Sequence, residues 1–221
     1  MKICLPVQES SQQKILEIFK KHADDYDIFE LWLDGIKDLD ILDLIKNCPK
    51  PLLCVCKGDE ERGSFEGSEE SRINLLIQAA QAGADFIDVG IHTDKKLIKK
   101  LFKSKGKSQV VLSCHNWDKT PKLTSMLSKI SEMIDFQPDC VKYVSYAQKV
   151  DDNIHIFRLA ENLKKKGLRF IVMCMGRHGK ISRVVCPVLG AEWMYAPIDL
   201  RSSSAPGQIT VKDLRGALEI L

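Results

Sequence analysis

Long apolar segments are missing from this sequence of 221 residues. The longest apolar runs, such as 171–175, fall far short of the roughly 20 residues that a membrane-spanning helix needs. The N-terminus, MKICLPVQES, contains one lysine but no long apolar stretch and no small-residue cleavage site, so we expect no secretory signal. These absences predict a cytoplasmic protein without a membrane association.

Motifs for zinc, redox chemistry and nucleotides are also missing. No two of the eight cysteines have CxxC spacing, and several lie in apolar, strand-like runs, so we expect reduced, buried thiols. The segment 63–68 lacks the spacings GxxxxGK[ST] and GxGxxG, which argues against nucleotide binding. The remaining histidines show no metal-ligand spacing, and we expect them to be surface or structural residues: His22, His92, His155 and His178.

Charge of one sign is not in excess. The net charge of +3 comes from 33 basic and 30 acidic residues, a balance that by itself argues neither for nor against nucleic acid. The basic clusters, such as 95–96, 99–100 and 164–166, fall late in amphipathic helix patterns, which is typical of solvated helix faces. Because the basic clusters fit solvated helix faces, we expect no nucleic-acid partner, and the histidine spacing leads us to expect no metal.

The sequence does contain a regular alternation of short apolar runs and longer amphipathic patterns. The apolar runs predict eight strands, at 3–7, 28–33, 51–56, 86–89, 109–114, 140–144, 169–174 and 192–196. The amphipathic patterns predict helices at 12–22, 39–46, 69–82, 95–105, 121–134, 154–166, 181–188 and 211–221. Such alternation predicts a parallel sheet, which eight units can close into a (β/α)8 barrel (the TIM barrel) or leave open and doubly wound.

Residues typical of helix starts and helix ends support these boundaries. Thr120 and Pro121 predict an N-cap followed by the first helical residue, and Ser68 predicts a second N-cap. Gly83 and Gly167 predict helix ends. No linker rich in proline, glycine or serine interrupts the pattern, so we expect one catalytic domain over 1–221.

Polar side chains are frequent at the carboxyl ends of the predicted strands and rare at the amino ends. In a barrel, catalytic groups lie at the carboxyl ends of the strands or in the loops that follow. The polar residues at these positions are Glu30, Trp32, Asp34, Lys57, Glu61, His115, Lys142, Arg183, Ser203, Ser204 and Gln208. This asymmetry predicts an active site at the carboxyl end of the sheet.

Lys142 is the most informative of these residues because it interrupts an apolar strand, Cys-Val-Lys-Tyr-Val. It is either a strand-edge lysine that reaches solvent or an amine in a barrel mouth, where desolvation favours the neutral form that attacks a ketone. His115 alone would be a structural residue, but it belongs to the strand just before that of Lys142. A histidine beside an imine-forming lysine is well placed for proton transfer.

Two further residues allow a structural or a functional interpretation. Arg183 either pairs with a helix end or presents its guanidinium to a substrate carboxylate. Gln208 follows a turn at 204–207 and is either aimed at the site or an ordinary loop residue.

Six segments together resemble the type I 3-dehydroquinate dehydratases. In chain order they are ELWLD (30–34), EERGSFEGSEE (60–70), SCHNW followed by TP (113–121), DCVKYV (139–144), MGRHGKISR (175–183) and SAPGQI (204–209). Any one match is modest, but all six in order on the expected strands carry the resemblance. It implies a closed barrel, a homodimer, no metal or organic cofactor, and the conversion of 3-dehydroquinate to 3-dehydroshikimate.

The resemblance also implies roles for individual residues. Lys142 would form an imine with the substrate ketone, His115 would move protons, and Glu61 would orient His115. The substrate-binding residues would be Glu30, Trp32, Lys57, Arg183, Ser204 and Gln208. Two positions depart from the family pattern, since Trp32 and Lys57 stand where arginines are usual. Because Trp and Lys do not replace a bidentate guanidinium, we expect a raised KM or an altered substrate.

The sequence leaves three alternatives open. Another imine-forming barrel enzyme, such as an aldolase or transaldolase, shares a strand lysine but not the segments GSFEGS and SAPGQ. A barrel that has lost turnover would bind a metabolite or partner without converting it. Finally, the domain is fused to a shikimate dehydrogenase or a longer pathway polypeptide in some organisms.

Overall fold

Within residues 1–220, which a computed structural model describes, eight strands alternate with eight α-helices. The strands are β1 Lys2–Val7, β2 Ile28–Trp32, β3 Leu52–Val55, β4 Phe86–Gly90, β5 Gln109–Asn116, β6 Cys140–Tyr146, β7 Phe170–Met175 and β8 Trp193–Tyr195. The helices are α1 Gln12–Lys21, α2 Ile41–Lys46, α3 Glu69–Ala82, α4 Lys95–Ser104, α5 Leu123–Ile134, α6 Asp152–Lys165, α7 Lys180–Leu189 and α8 Val211–Leu218.

The strands form one sheet in the order β7-β6-β5-β4-β3-β2-β1-β8. An open doubly wound sheet would place the first strand inside the order and build outward in both directions, which is not observed. The backbone N–H of Glu192, just before β8, donates to the carbonyl of Phe170 in β7 at 2.9 Å and so connects the two ends of the order. The (β/α)8 class is therefore confirmed.

The chain divides into two compact units, one of residues 1–4 with those from Leu112 onward and one of residues 5–111. In the first unit, α6 and α7 pack on β7, and Trp193 is buried. In the second, the buried rings of Phe19 and Phe29 lie 4.8 Å apart. The single domain over 1–221 stays a prediction.

Most predicted helix ends are confirmed. The Ser68 hydroxyl accepts from the Ser71 N–H at 3.1 Å and caps α3, and Gly83 ends that helix with a φ of +107°. Gly167 follows α6 with a φ of +67°. The predicted last helix ends at Leu218, and Leu221 lies outside the described residues. Among residues 1–220, every helix is too short or too polar to cross a membrane.

Two local predictions are wrong. Thr120 does not cap a helix, because its hydroxyl bonds the Ser145 hydroxyl at 2.9 Å and the Tyr146 carbonyl at 3.0 Å. Helix α5 instead begins at Leu123, after Lys122, which makes no side-chain cap. The fifth strand also runs further than its apolar run and ends at Asn116, so His115 lies inside β5 rather than after it.

Candidate active site

The side chain of Lys142 lies inside the fold. Lys142 is in the middle of β6 and is 6% exposed. Its Nζ lies 4.6 Å from the centroid of the Tyr195 ring, which belongs to β8. Because β7 separates β6 from β8, this contact requires both side chains to project from the same face of the sheet. A strand-edge lysine that reaches solvent is thereby excluded.

His115 lies on the strand next to that of Lys142. Its half-buried ring stacks on the Trp117 ring, with the centroids 5.3 Å apart and the planes 13° from parallel. Strands β5 and β6 are neighbours in the sheet, and neighbouring strands run about 5 Å apart. The sequence therefore assigned the amine and the imidazole to neighbouring strands correctly, and the stacking contact with Trp117 limits the rotation of the imidazole.

Arg183 is a buried cation with weak internal contacts. It begins the second turn of α7, is 1% exposed, and its two Nη atoms lie 3.4 Å from the Met173 Sδ and 3.4 Å from the Pro206 carbonyl. Its buried Nε has no hydrogen-bond partner within residues 1–220. Burial lowers the pKa of Arg183 to about 10, so the guanidinium keeps its charge at neutral pH. A buried guanidinium of this kind suits an anionic ligand group.

The loop 203–208 has a fixed form beside Arg183. The Gln208 side-chain oxygen accepts from the Ser203 hydroxyl at 3.0 Å and the Ser204 N–H at 2.9 Å, and its NH2 group donates to the Ser204 hydroxyl at 3.1 Å. At Gly207, where φ is +79°, an added Cβ would lie 2.2 Å from the Gly176 carbonyl oxygen. Gln208 thus organises its own loop through these three hydrogen bonds.

In the unit of residues 5–111, Trp32 contacts Glu30 directly. Glu30 is 3% exposed, and the indole N–H of Trp32 donates to its Oε2 at 2.9 Å. Residues two apart on a strand share a face, so this pair is a direct consequence of the spacing in β2. Tryptophan provides one neutral donor where an arginine would provide five and a charge.

Lys57 is held by two carboxylates of the same unit. Its Nζ donates to Asp88 Oδ1 at 2.7 Å and to Glu61 Oε1 at 3.0 Å. Lys57 is 2% exposed and Asp88 is fully buried. Sequence reasoning missed Asp88, although an aspartate inside the apolar run Phe-Ile-Asp-Val-Gly is the same kind of signal that identified Lys142.

Asp34 anchors the loop that carries Glu61. One carboxylate oxygen accepts from the Lys57 backbone N–H at 3.0 Å, and the other accepts from the Ser64 N–H at 2.9 Å. The polar residue at the end of β2 therefore serves the backbone of the next loop.

Within the described part of the chain, the other histidines and the cysteines make no metal or redox site. His92 and His178 are exposed, His155 is half-buried, and the His22 Nδ1 lies 3.1 Å from Asp25. All eight cysteines are free, and seven are buried. Burial raises the pKa of Cys48 to about 11 and that of Cys56 to about 12, so these thiols stay protonated at neutral pH. Residues 1–220 contain no group of three or more His, Cys, Asp or Glu side chains that could hold a metal ion.

The family of this chain is shown by its similarity to known proteins. Residues 3–221 match the family described as Type I 3-dehydroquinase. The chain belongs to the type I 3-dehydroquinase family. It is 31% identical to a 3-dehydroquinate dehydratase of Desulfotalea psychrophila over 217 residues, which cover 97% of this chain and 96% of the relative. Membership makes the chain an enzyme of the hydro-lyase class, and the aldolase alternative is set aside.

Two further relatives extend the comparison. A bifunctional 3-dehydroquinate dehydratase/shikimate dehydrogenase of Arabidopsis thaliana is 33% identical over 218 residues, 96% of this chain but 36% of that protein. The solved structure of the Clostridium difficile type I 3-dehydroquinate dehydratase has a TM-score of 0.89 at 24% identity, covering 99% of this chain and 91% of that one. The second similarity supports the barrel fold.

Proposed function

We propose that this chain, a type I 3-dehydroquinase, converts 3-dehydroquinate to 3-dehydroshikimate in the shikimate pathway, with Lys142 as its covalent nucleophile. The observation that carries the proposal is the position of the Lys142 amine, which is buried and directed at the Tyr195 ring rather than at solvent. Burial removes competing water from an amine that must attack a ketone.

The proposed chemistry begins at the Lys142 Nζ. Its lone pair adds to the substrate ketone, and loss of water gives an imine. His115 then removes a proton from the adjacent carbon, and the imine accepts the electron pair because it is a better electron sink than the ketone. The resulting enamine expels the hydroxyl on the next carbon, and His115 returns the proton so that the group leaves as water. Hydrolysis releases 3-dehydroshikimate and restores the amine.

Arg183 is proposed to bind the substrate carboxylate. A ligand carboxylate would supply strong acceptors to a guanidinium whose present contacts are 3.4 Å long. Ser204 and Gln208 would support this contact through the bonded loop that they form. The roles that the resemblance implies for Glu30, Trp32, Lys57 and Glu61 remain proposals, as do a homodimer and a cytoplasmic location.

The test is turnover of 3-dehydroquinate by the whole chain. Product formation gives a conjugated enone that absorbs in the ultraviolet. Lys142→Ala should lower kcat by roughly 10⁴-fold or more, since loss of a covalent nucleophile removes the main reaction path. Lys96→Ala, which changes an exposed lysine of α4, is the matched control and should leave kcat unchanged. Turnover by Lys142→Ala within tenfold of the parent chain would contradict the proposal, and binding without turnover by the parent chain would favour the inactive-barrel alternative.

A further inference from the structure

The carboxylate of Glu61 lies directly against the bare α-carbon of Gly90. A Cβ added to Gly90 would lie 2.8 Å from Glu61 Oε1 and 2.9 Å from Oε2, distances that real Cβ atoms essentially never show. Gly90 is buried at the end of β4, and its φ is not positive. An alanine would therefore fit the backbone without strain, but the Glu61 carboxylate would have to move to make room for its methyl group.

The same carboxylate also accepts a hydrogen bond from Lys57. The Lys57 Nζ lies 3.0 Å from Glu61 Oε1 and 2.7 Å from Asp88 Oδ1, and Asp88 precedes Gly90 by two residues on β4. One strand thus supplies both the buried anion that anchors the amine and the gap that receives the second carboxylate. Buried charges are stable only when paired in this way.

We propose that Gly90 is a positioning residue for the dehydration. The missing side chain lets the Glu61 carboxylate reach the Lys57 ammonium and stay there, so that Glu61 is held in one place for the acid–base chemistry. This inference rests on the proposed function, because that function makes Glu61 part of the proton-transfer machinery. The alternative is that Gly90 only allows close packing, with no effect of Glu61 placement on turnover.

A double-mutant cycle on the whole chain separates these two possibilities. Gly90→Ala should displace the carboxylate and lower kcat by about 10²-fold, a loss that a misplacement of about 1 Å can cause, with little change in KM. Aspartate is one methylene shorter than glutamate and withdraws its carboxylate from the added methyl. In the Glu61→Asp background the same Gly90→Ala change should therefore cost far less in kcat. An equal loss in both backgrounds would overturn the inference.

Gly58→Ala is the matched control, because a Cβ at Gly58 would meet nothing within 4 Å and its φ of −86° suits alanine. It should leave kcat unchanged. The same four chains are also compared by thermal unfolding. If Glu61 contacts Gly90, Gly90→Ala should lower Tm less in the Glu61→Asp background than in the parent chain. If Gly90→Ala lowered Tm equally in the parent and Glu61→Asp backgrounds, the Glu61–Gly90 contact would be contradicted.

Borohydride trapping of the parent chain with 3-dehydroquinate reports on the proposed function independently. Failure to trap Lys142 defeats the imine mechanism while leaving the Gly90 cycle in kcat interpretable. A trapped Lys142 with equal kcat losses defeats the positioning role alone. A parent chain without turnover overturns the proposed function and this role together, and the unfolding cycle then decides only whether the contact exists.

Discussion

Each of the two units buries a lysine, but in different surroundings. Lys57 in the unit of residues 5–111 is 2% exposed and lies within 3.0 Å of two carboxylates. Lys142 in the other unit is 6% exposed and lies 4.6 Å from the centre of an aromatic ring. Two carboxylates hold the Lys57 amine by charge, whereas the Tyr195 ring covers one side of the Lys142 amine.

Burial alone therefore does not distinguish a structural lysine from a catalytic one. Both lysines lie in or next to apolar runs of the sequence, Lys57 after Leu-Leu-Cys-Val-Cys and Lys142 within Cys-Val-Lys-Tyr-Val. The neighbours brought in by the fold make the difference. Lys57 receives Asp88 from β4, and Lys142 receives Tyr195 from β8.

Among these variants, replacement of Lys57 should have the largest effect, and it should act on the stability of the fold. Lys57→Met should lower the free energy of unfolding by about 3–5 kcal/mol, because it leaves the fully buried Asp88 carboxylate without its cation. Urea unfolding at neutral pH measures the change. Lys57→Met combined with Asp88→Asn should recover part of the loss, since the remaining side chain is then neutral. An unchanged unfolding midpoint in the single variant would show that the ion pair is not structural.

In the unit that contains Lys142, replacement of Arg183 should affect substrate binding. Arg183→Met should raise KM for 3-dehydroquinate by roughly 10- to 100-fold, as expected for losing 1.5–3 kcal/mol of hydrogen bonding to a charged group. Steady-state kinetics provides the measurement. Arg183→Lys should recover the affinity only in part, because an ammonium lacks the planar fork. Arg158→Met, on the exposed face of α6, is the control. A KM that moves equally in both methionine variants would exclude a carboxylate contact.

Trp32 provides the smallest expected effect. Trp32→Arg restores a charged, multidentate donor beside Glu30 and should lower KM by roughly fivefold, about 1 kcal/mol, with a smaller change in kcat. Trp32→Phe, which keeps an aromatic ring but loses the N–H, should not lower KM. If Trp32→Arg leaves KM unchanged, Trp32 lies outside the substrate shell.

The fold was predictable because the signals that specify it are local. Apolar runs, amphipathic periods and stops such as Gly83 are all read within a few residues, and they predicted every strand and helix to within a few positions. The Thr120 cap failed for the opposite reason. Its hydroxyl forms hydrogen bonds with Ser145 and Tyr146, which lie 25 and 26 residues away in the sequence. A local sequence pattern does not predict such a contact.

The candidate site was predictable only in part. Lys142 interrupts an apolar strand, which is visible in the sequence, and the Trp32–Glu30 bond follows from two residues sharing a strand face. The close approach of Glu61 to Gly90 joins positions 29 residues apart, and the bonds of Gln208 depend on the exact turn at 204–207. These features depend on three-dimensional packing rather than on pattern.

The most direct measurement is borohydride reduction of the parent chain in the presence of 3-dehydroquinate, followed by peptide mapping with mass spectrometry. We expect loss of activity and one reduced substrate adduct, on the peptide that contains Lys142, with Lys57 unmodified. An active chain that yields no adduct at Lys142, or yields it at Lys57, would contradict the assignment of the nucleophile.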